Sequence, residues 1–197
     1  HGRAADVAAL LAEGADVNEP KTDGGGVTPL YIACRKGHAE VVTKLLAANA
    51  DVNRARETGA TPLYVACQNG HIEIVAKLIA ANASVDQPNR LGDTPLIAAC
   101  AAGQPEVVTI MLAANADVTH AGSNGGTPLF AACCNGQGEV VTKLLAANAD
   151  VNQASNEGCT PLYAACHAGH AEVATTLLAA NADMNQAANN NTTPLWN

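Results

Sequence analysis

Large aromatic residues are scarce in this chain of 197 residues, which has three tyrosines, one phenylalanine and one tryptophan. A hydrophobic core with so few large rings must be built from small side chains and closely approaching backbones. The 42 alanines supply such side chains. The composition therefore predicts secondary-structure elements with small side chains whose backbones pack close together.

Long apolar runs and cationic residues are also lacking. No run approaches the roughly 18 to 20 residues of a membrane-spanning helix, and no signal segment is recognisable. The 10 Lys+Arg residues stand against 18 Asp+Glu, a formal net charge of -8, which disfavours binding to nucleic acid or anionic lipid. Seven cysteines without an extracellular context indicate reduced thiols. The sequence predicts a cytoplasmic protein with no membrane or nucleic-acid partner.

One period organises the whole chain. Thr-Pro-Leu begins at Thr28, Thr61, Thr94, Thr127, Thr160 and Thr193, each 33 residues after the last. Glycine, glutamate and asparagine recur at the same interval, as at Gly37, Glu40 and Asn49. Such a period identifies an array whose units bury their apolar faces by stacking on one another. We predict one array over residues 1–197, with a partial unit at 1–27, full units at 28–60, 61–93, 94–126, 127–159 and 160–192, and a truncated one at 193–197.

Each unit is predicted to form two short helices. A helix is predicted over Pro29–Lys36, because the Thr28 hydroxyl suits an N-cap and proline suits the first helical position. Gly37 ends it, since glycine adopts the left-handed conformation without steric cost. A second helix starts near Glu40 with an apolar stripe at helical spacing, and Asn49 ends it in the left-handed region.

The segment before each Thr-Pro-Leu predicts a turn. Gly59 stands two residues before Thr61, the glycine recurs in the other units, and Asn191 replaces it in the last copy. Both residue types tolerate the positive φ of such a β-turn. Helices of about eight to ten residues are marginal alone, so stability must come from stacking. The predicted fold is an all-α solenoid of helix-turn-helix units.

A known family shares this pattern. Thr61-Pro-Leu-Tyr-Val-Ala-Cys-Gln-Asn-Gly-His71, followed by Glu73, Leu78 and Ala83-Ser-Val-Asp, resembles the ankyrin repeat, whose pattern is Thr-Pro-Leu-His-x-Ala-Ala with a period of 33. The resemblance covers essentially the whole chain. It implies paired antiparallel helices with β-turn fingers, an elongated and curved solenoid with a concave surface, and a non-catalytic module that binds other proteins.

We call a set of equivalent positions in successive units a column, and two columns depart from the family pattern. The family's histidine is replaced by Tyr31, Tyr64, Ile97, Phe130, Tyr163 and Trp196. Periodic apolar positions favour packing, although an aromatic row that binds an extended partner is the alternative. The second alanine is replaced by Cys34, Cys67, Cys100, Cys133 and Cys166, each predicted to be a small buried hydrophobe. Neighbouring copies about 8 to 10 Å apart are too distant for disulfides.

No catalytic or metal site stands apart from the repeat. His38, His71 and His170 match the family's structural histidine at the helix junction, and glutamine replaces it in the other two full units. Cys134, Cys159 and His167 lack the local ligand-pair spacing of a metal site. No nucleophile triad, phosphate-binding loop or acid pair is present. We predict no catalytic residue, no cofactor and no metal.

Columns that vary between units are the candidate partner-binding positions. They are Arg35, Lys36, Arg56, Glu57, Thr58, Gln68, Asn69, Arg90, Leu91, Asp93, Ser123, Asn124, Cys134, Asn135, Asn156, Glu157 and His167. By resemblance to the family they line the concave groove and the finger tips. Variation where solvent imposes no constraint explains the same pattern equally well.

Charge divides the candidate surface. Residues 1–98 hold nine basic and eleven acidic residues, whereas residues 99–197 hold Lys143 alone against seven acidic residues. The basic residues nearest the groove, which are Arg35, Lys36, Arg54, Arg56 and Arg90, all lie in the first half. Complementarity predicts that a protein partner places an acidic segment at this end. The chain itself is expected to be a monomer.

The origin of the chain stays open. Both ends fall inside units, as in a fragment of a longer array, and Gly24, Gly25 and Gly26 lengthen the first finger. The segments 40–53 and 139–152 are identical, as recent duplication or deliberate design produces. The alternatives to a partner-binding module are a designed or purely structural scaffold without a natural ligand and, on weaker grounds, an enzyme.

Overall fold

Five helix pairs follow one another along the chain. The computed structural model describes residues 9, 13–21 and 25–194, and within them it has ten helices and no β-strand. The first helix of each pair is α1 (Pro29–Lys36), α3 (Pro62–Gln68), α5 (Pro95–Ala101), α7 (Pro128–Cys134) or α9 (Pro161–His167). The second is α2 (Ala39–Ala47), α4 (Ile72–Ala80), α6 (Pro105–Ala113), α8 (Gly138–Ala146) or α10 (Ala171–Ala179). The predicted all-α solenoid is confirmed.

Buried threonines start the first helices. The Thr28 hydroxyl accepts a hydrogen bond from the backbone N–H of Tyr31 at 3.2 Å, and Pro29 follows it at the first helical position. The same arrangement recurs at Thr61, Thr94, Thr127 and Thr160. An N-cap of this kind satisfies a backbone donor that the helix leaves open.

Left-handed residues end the helices where the sequence predicted them. Gly37 has a φ of 76° after α1. After the second helices, Asn49, Asn82, Asn115, Asn148 and Asn181 have φ values between 60° and 63°. The short helices are thus bounded by residues that turn the chain sharply, which lets each unit return to the same place in the stack.

The core runs the length of the stack. Leucines in one column of the first helices, from Leu30 to Leu162, are 0 to 1% exposed. The second helices contribute fully buried residues such as Val42, Val75 and Leu78. First helices pack on first helices, and second helices on second helices. No helix of the described residues combines the length and hydropathy that crossing a bilayer requires.

Fingers connect the pairs at residues 54–60, 87–93, 120–126, 153–159 and 186–192. Each is closed by a backbone hydrogen bond, such as that from Asn89 to Asp93 at 2.9 Å. The predicted positive φ is confirmed at Gly59, at its counterparts and at Asn191, which has a φ of 65°. Neighbouring fingers are also joined by one backbone hydrogen bond, which runs from Arg90 N to Thr58 O at 2.9 Å between the first and second fingers.

One prediction about the cysteine column is wrong. Cys34, Cys67, Cys100 and Cys133 are 0% exposed, but Cys166 is only half-buried. Cys67, Cys100 and Cys133 lie on helices that pack between two described first helices, whereas α9 is the last helix of its kind in the described part of the chain. Cys34 is buried although α1 contacts a described first helix on one side only. The predictions for Gly24 and Trp196 fall outside the described residues.

Candidate functional site

Fingers and first helices share one surface, which we call the groove. The link is direct at Tyr163 in α9, whose hydroxyl accepts a hydrogen bond from the Thr192 hydroxyl of the fifth finger at 3.1 Å. The candidate residues lie on these elements or, for Asn69 and Asn135, directly after a first helix. All of them are exposed except the half-buried Arg56 and Asp93. Leu91 at a finger tip is 67% exposed. Exposure of these varying positions contrasts with the burial of the constant threonine and leucine columns of Thr-Pro-Leu.

Arg56 is engaged within the chain. Its guanidinium carbon lies 5.9 Å from the centroid of the Tyr31 ring, a distance at which a cation is attracted to an aromatic face. Tyr31 is only 4% exposed beneath it. Arg56 therefore completes the surface over Tyr31 and is less available to a partner than the exposed Arg35, Lys36 and Arg90.

A polar network surrounds Asp93. Burial raises the pKa of Asp93, against the opposing effects of a hydrogen bond from Asn89 and of nearby His120. The Asn89 side chain also hydrogen-bonds to Tyr64, and the pKa of Tyr64 is raised by burial and by the charge of Asp93. A ring nitrogen of His120 lies 2.9 Å from the Gly92 carbonyl oxygen. These contacts hold the second finger against α3 and the third finger.

A pocket opens near the C-terminal end of the groove. It has a volume of about 620 Å³ and lies between α7, α9 and the last two fingers. Phe130 and Tyr163 line it together with Cys134, Cys159, Glu157 and Ala188. The Tyr163 ring stacks on His167 with centroids 6.0 Å apart and an angle of 11°.

The aromatic column has two roles. Tyr31 and Ile97 are buried, and Tyr64 and Phe130 pack against the core from half-buried positions. These four residues confirm the predicted packing. Phe130 and Tyr163 also line the pocket, which agrees with the alternative of aromatic rings along a groove.

Histidines at the helix junctions link neighbouring units. A ring nitrogen of His71 lies 3.3 Å from the Arg35 carbonyl oxygen, and one of His170 lies 3.2 Å from that of Cys134. Both carbonyls belong to the last turn of the preceding first helix, where backbone acceptors lack partners within the helix. The predicted structural role is confirmed for these two histidines.

The thiols fall into two groups. Burial raises the pKa of Cys34 to about 12 and raises that of Cys67, Cys100 and Cys133 further. Burial also raises the pKa of Cys134, which is exposed, and that of Cys159, which is half-buried. No group of three or more histidine, cysteine, aspartate or glutamate side chains suited to a metal ion occurs among the described residues.

A ladder of side-chain hydrogen bonds was not predicted. Asn18 Oδ1 accepts from Asp51 N at 2.8 Å, and Asn53 Oδ1 accepts from Ser84 N at 2.8 Å. Asp86 and Asn152 accept in the same way from the backbone of the next unit. The recurring Asp-Val-Asn motif could have indicated this ladder in the sequence, because its third residue is the acceptor in most of these hydrogen bonds.

The arrangement defines a helical repeat protein whose groove carries the variable side chains. A family model that comprises three ankyrin repeats matches the chain four times, at residues 1–89, 48–122, 77–155 and 96–188. The crystal structure of the human ASB11 ankyrin repeat domain is similar, with a TM-score of 0.92 and 31% identity over 99% of this chain and 86% of that chain. No curated protein matches the chain. The chain belongs to the ankyrin repeat family, whose members are generally protein-interaction modules.

Proposed function

We propose that this chain binds a partner protein through the groove and the finger tips. The observation that carries the proposal is the exposure of nearly all the varying positions on the fingers and at the ends of the first helices, whereas the threonine and leucine columns of Thr-Pro-Leu are buried. Fingers tied to one another by backbone hydrogen bonds present that surface with little conformational freedom. A rigid binding surface loses less entropy when it binds.

A charge test distinguishes the groove from the opposite face. Ala102→Arg places a bulky charge in the groove beside α5, and Thr109→Arg places the same charge on the exposed side of α6. A partner captured from cells that express the chain is expected to bind the first variant at least about tenfold more weakly. It is expected to bind the second with unchanged affinity. Equal affinity for both variants argues against the groove.

We propose further that the partner places an acidic segment on the first units. Arg35, Lys36 and Arg90 are exposed there, and the second half of the chain holds only Lys143 as a basic residue. Replacing these three residues by alanine is expected to weaken binding and to reduce its dependence on salt, since fewer ion pairs form. Lys44→Ala on α2 is the matched control. Salt-insensitive binding by the parent chain contradicts this element of the proposal.

The compartment is inferred from the thiols, and the scaffold alternative is tested by the same capture. Seven unpaired cysteines support a reducing compartment such as the cytoplasm. The identical segments 40–53 and 139–152 favour the alternative of a scaffold without a natural ligand. Failure to capture any protein under conditions where a known ankyrin-repeat module captures its partner supports that alternative.

A further inference from the structure

The finger residue at the position of Arg56 differs from unit to unit, and so does its contact with the aromatic column. Arg56, Asn89, Gly122, Ser155 and Ala188 are spaced 33 residues apart, as are Tyr31, Tyr64, Ile97, Phe130 and Tyr163. In the first unit the guanidinium of Arg56 lies over the Tyr31 ring. In the second, the Asn89 side chain hydrogen-bonds to Tyr64. In the fifth, the equivalent position holds only the methyl group of Ala188, and the finger contacts the Tyr163 hydroxyl through Thr192.

The pocket lies beside Tyr163, where the covering position holds the small side chain of Ala188. Tyr163 and Ala188 both line it, so it occupies the place in the fifth unit that Arg56 fills in the first. Tyr31 under Arg56 is buried, whereas Tyr163 is half-buried. Its volume of about 620 Å³ falls within the range of binding pockets, roughly 300 to 1,000 Å³, and it accommodates a long side chain.

The charges around the pocket favour a cation. Glu157 is exposed and is the one residue with a formal charge at pH 7, histidine being counted as neutral, among those that line the pocket. The single lysine of residues 99–197 is Lys143, which lies 3.5 Å from Glu139 on α8 and does not line the pocket. A carboxylate beside two aromatic rings forms a favourable environment for a guanidinium group.

We propose that this pocket binds an arginine side chain of the partner protein, with the guanidinium over Tyr163 and within reach of Glu157. The inference rests on the proposed function and specifies one contact of it. Arginine is favoured over lysine because its planar group stacks on an aromatic ring while it forms a paired hydrogen bond with a carboxylate. The partner segment then carries acidic residues towards the first units and an arginine at the fifth.

Small probes test the pocket without a known partner. N-acetyl-arginine methylamide and the corresponding citrulline compound, which has nearly the same shape but no charge, are titrated into ¹⁵N-labelled chain. The arginine probe is expected to shift the amide signals of Gly158, Tyr163 and Ala188 saturably. The citrulline probe is expected to bind about tenfold more weakly, as loss of a cation–π and ionic contact implies. Equal binding of both probes, or no saturable shift with either, overturns the proposal.

Two variants locate the contact. Ala188→Arg restores the residue type of position 56 and is expected to cover Tyr163, which reduces binding of the arginine probe at least about tenfold. Ala187→Arg adds the same charge on the same finger at an exposed position outside the pocket, and it is expected to leave binding nearly unchanged. Glu157→Gln, on an exposed side chain, should weaken binding of the arginine probe and not that of the citrulline probe. Equal effects of the two added arginines overturn the proposal.

The outcome is separable from that of the proposed function. A captured partner that responds to Ala102→Arg but whose affinity is the same for Ala188→Arg and Ala187→Arg supports the groove and overturns the arginine contact. Binding of the arginine probe in the pocket without any captured partner supports the pocket and leaves the proposed function unsupported.

Discussion

Single residues at equivalent positions decide how strongly adjacent units are joined. The ladder that begins at Asn18 and continues through Asn53 and Asp86 requires a side-chain oxygen that reaches the backbone of the next unit. Thr119 occupies that column in the third full unit, and its hydroxyl donates to Asp117 in its own unit at 2.7 Å. This bond lowers the pKa of Asp117 but does not extend the ladder.

Restoring the ladder is expected to stabilise the array. In Thr119→Asn the new amide oxygen can accept from Asp150 N, as Asn152 accepts from Asp183 N at 2.8 Å. One such hydrogen bond adds about 0.5 to 1.5 kcal/mol to the free energy of unfolding, measured by urea denaturation. Thr109→Asn on the exposed side of α6 is the control. No gain over that control contradicts the role given to the ladder.

The helices are the part of the fold that the sequence predicts best. Their starts and ends depend on neighbouring residues, such as Thr28 before Pro29 and Asn49 after α2, and local chemistry alone is sufficient to identify them. The cover of Tyr31 by Arg56 was not predictable, because it depends on how far a finger lies from a helix of the same unit. The pocket near Tyr163 arises from several such distances at once.

Helix ends provide a test at this scale. Asn148 has a φ of 61° and is exposed, so its side chain contributes little packing. Asn148→Ala is expected to lower the free energy of unfolding by about 1 kcal/mol, because a Cβ disfavours the left-handed region, whereas Asn148→Gly should be nearly neutral. At the preceding Ala147, with a φ of -88°, glycine should instead destabilise. Thermal or urea unfolding checks this order, and an alanine as well tolerated as glycine at 148 contradicts it.

The whole molecule behaves as a one-dimensional stack. Each pair contacts the pairs before and after it, so total stability is a sum over units and their interfaces. Cys166 on α9 illustrates the consequence, because a cysteine that is buried in four units is half-buried in the last described one. Periodicity predicts what the units share and gives no information about a position whose neighbour differs.

Damage in the middle of the stack should differ from damage near its end. Leu78 and Leu177 occupy the same column and are both 0% exposed. Truncating either to alanine is expected to cost about 2 to 5 kcal/mol locally. Leu78→Ala should also uncouple the two halves, which then unfold in separate urea transitions, while Leu177→Ala should affect mainly the last unit. Identical unfolding curves for the two variants contradict the nearest-neighbour description.

Thiol footprinting of the complex with a captured partner tests the groove most directly. Cys134 is an exposed natural probe there, Gln68→Cys places a second probe in the same column, and Thr142→Cys marks the exposed side of α8. A saturating partner is expected to slow alkylation of the two groove thiols at least about tenfold, since only exposed thiolates react. No change is expected at position 142. Groove thiols that react at their free rate, with protection at position 142, would contradict binding through the groove.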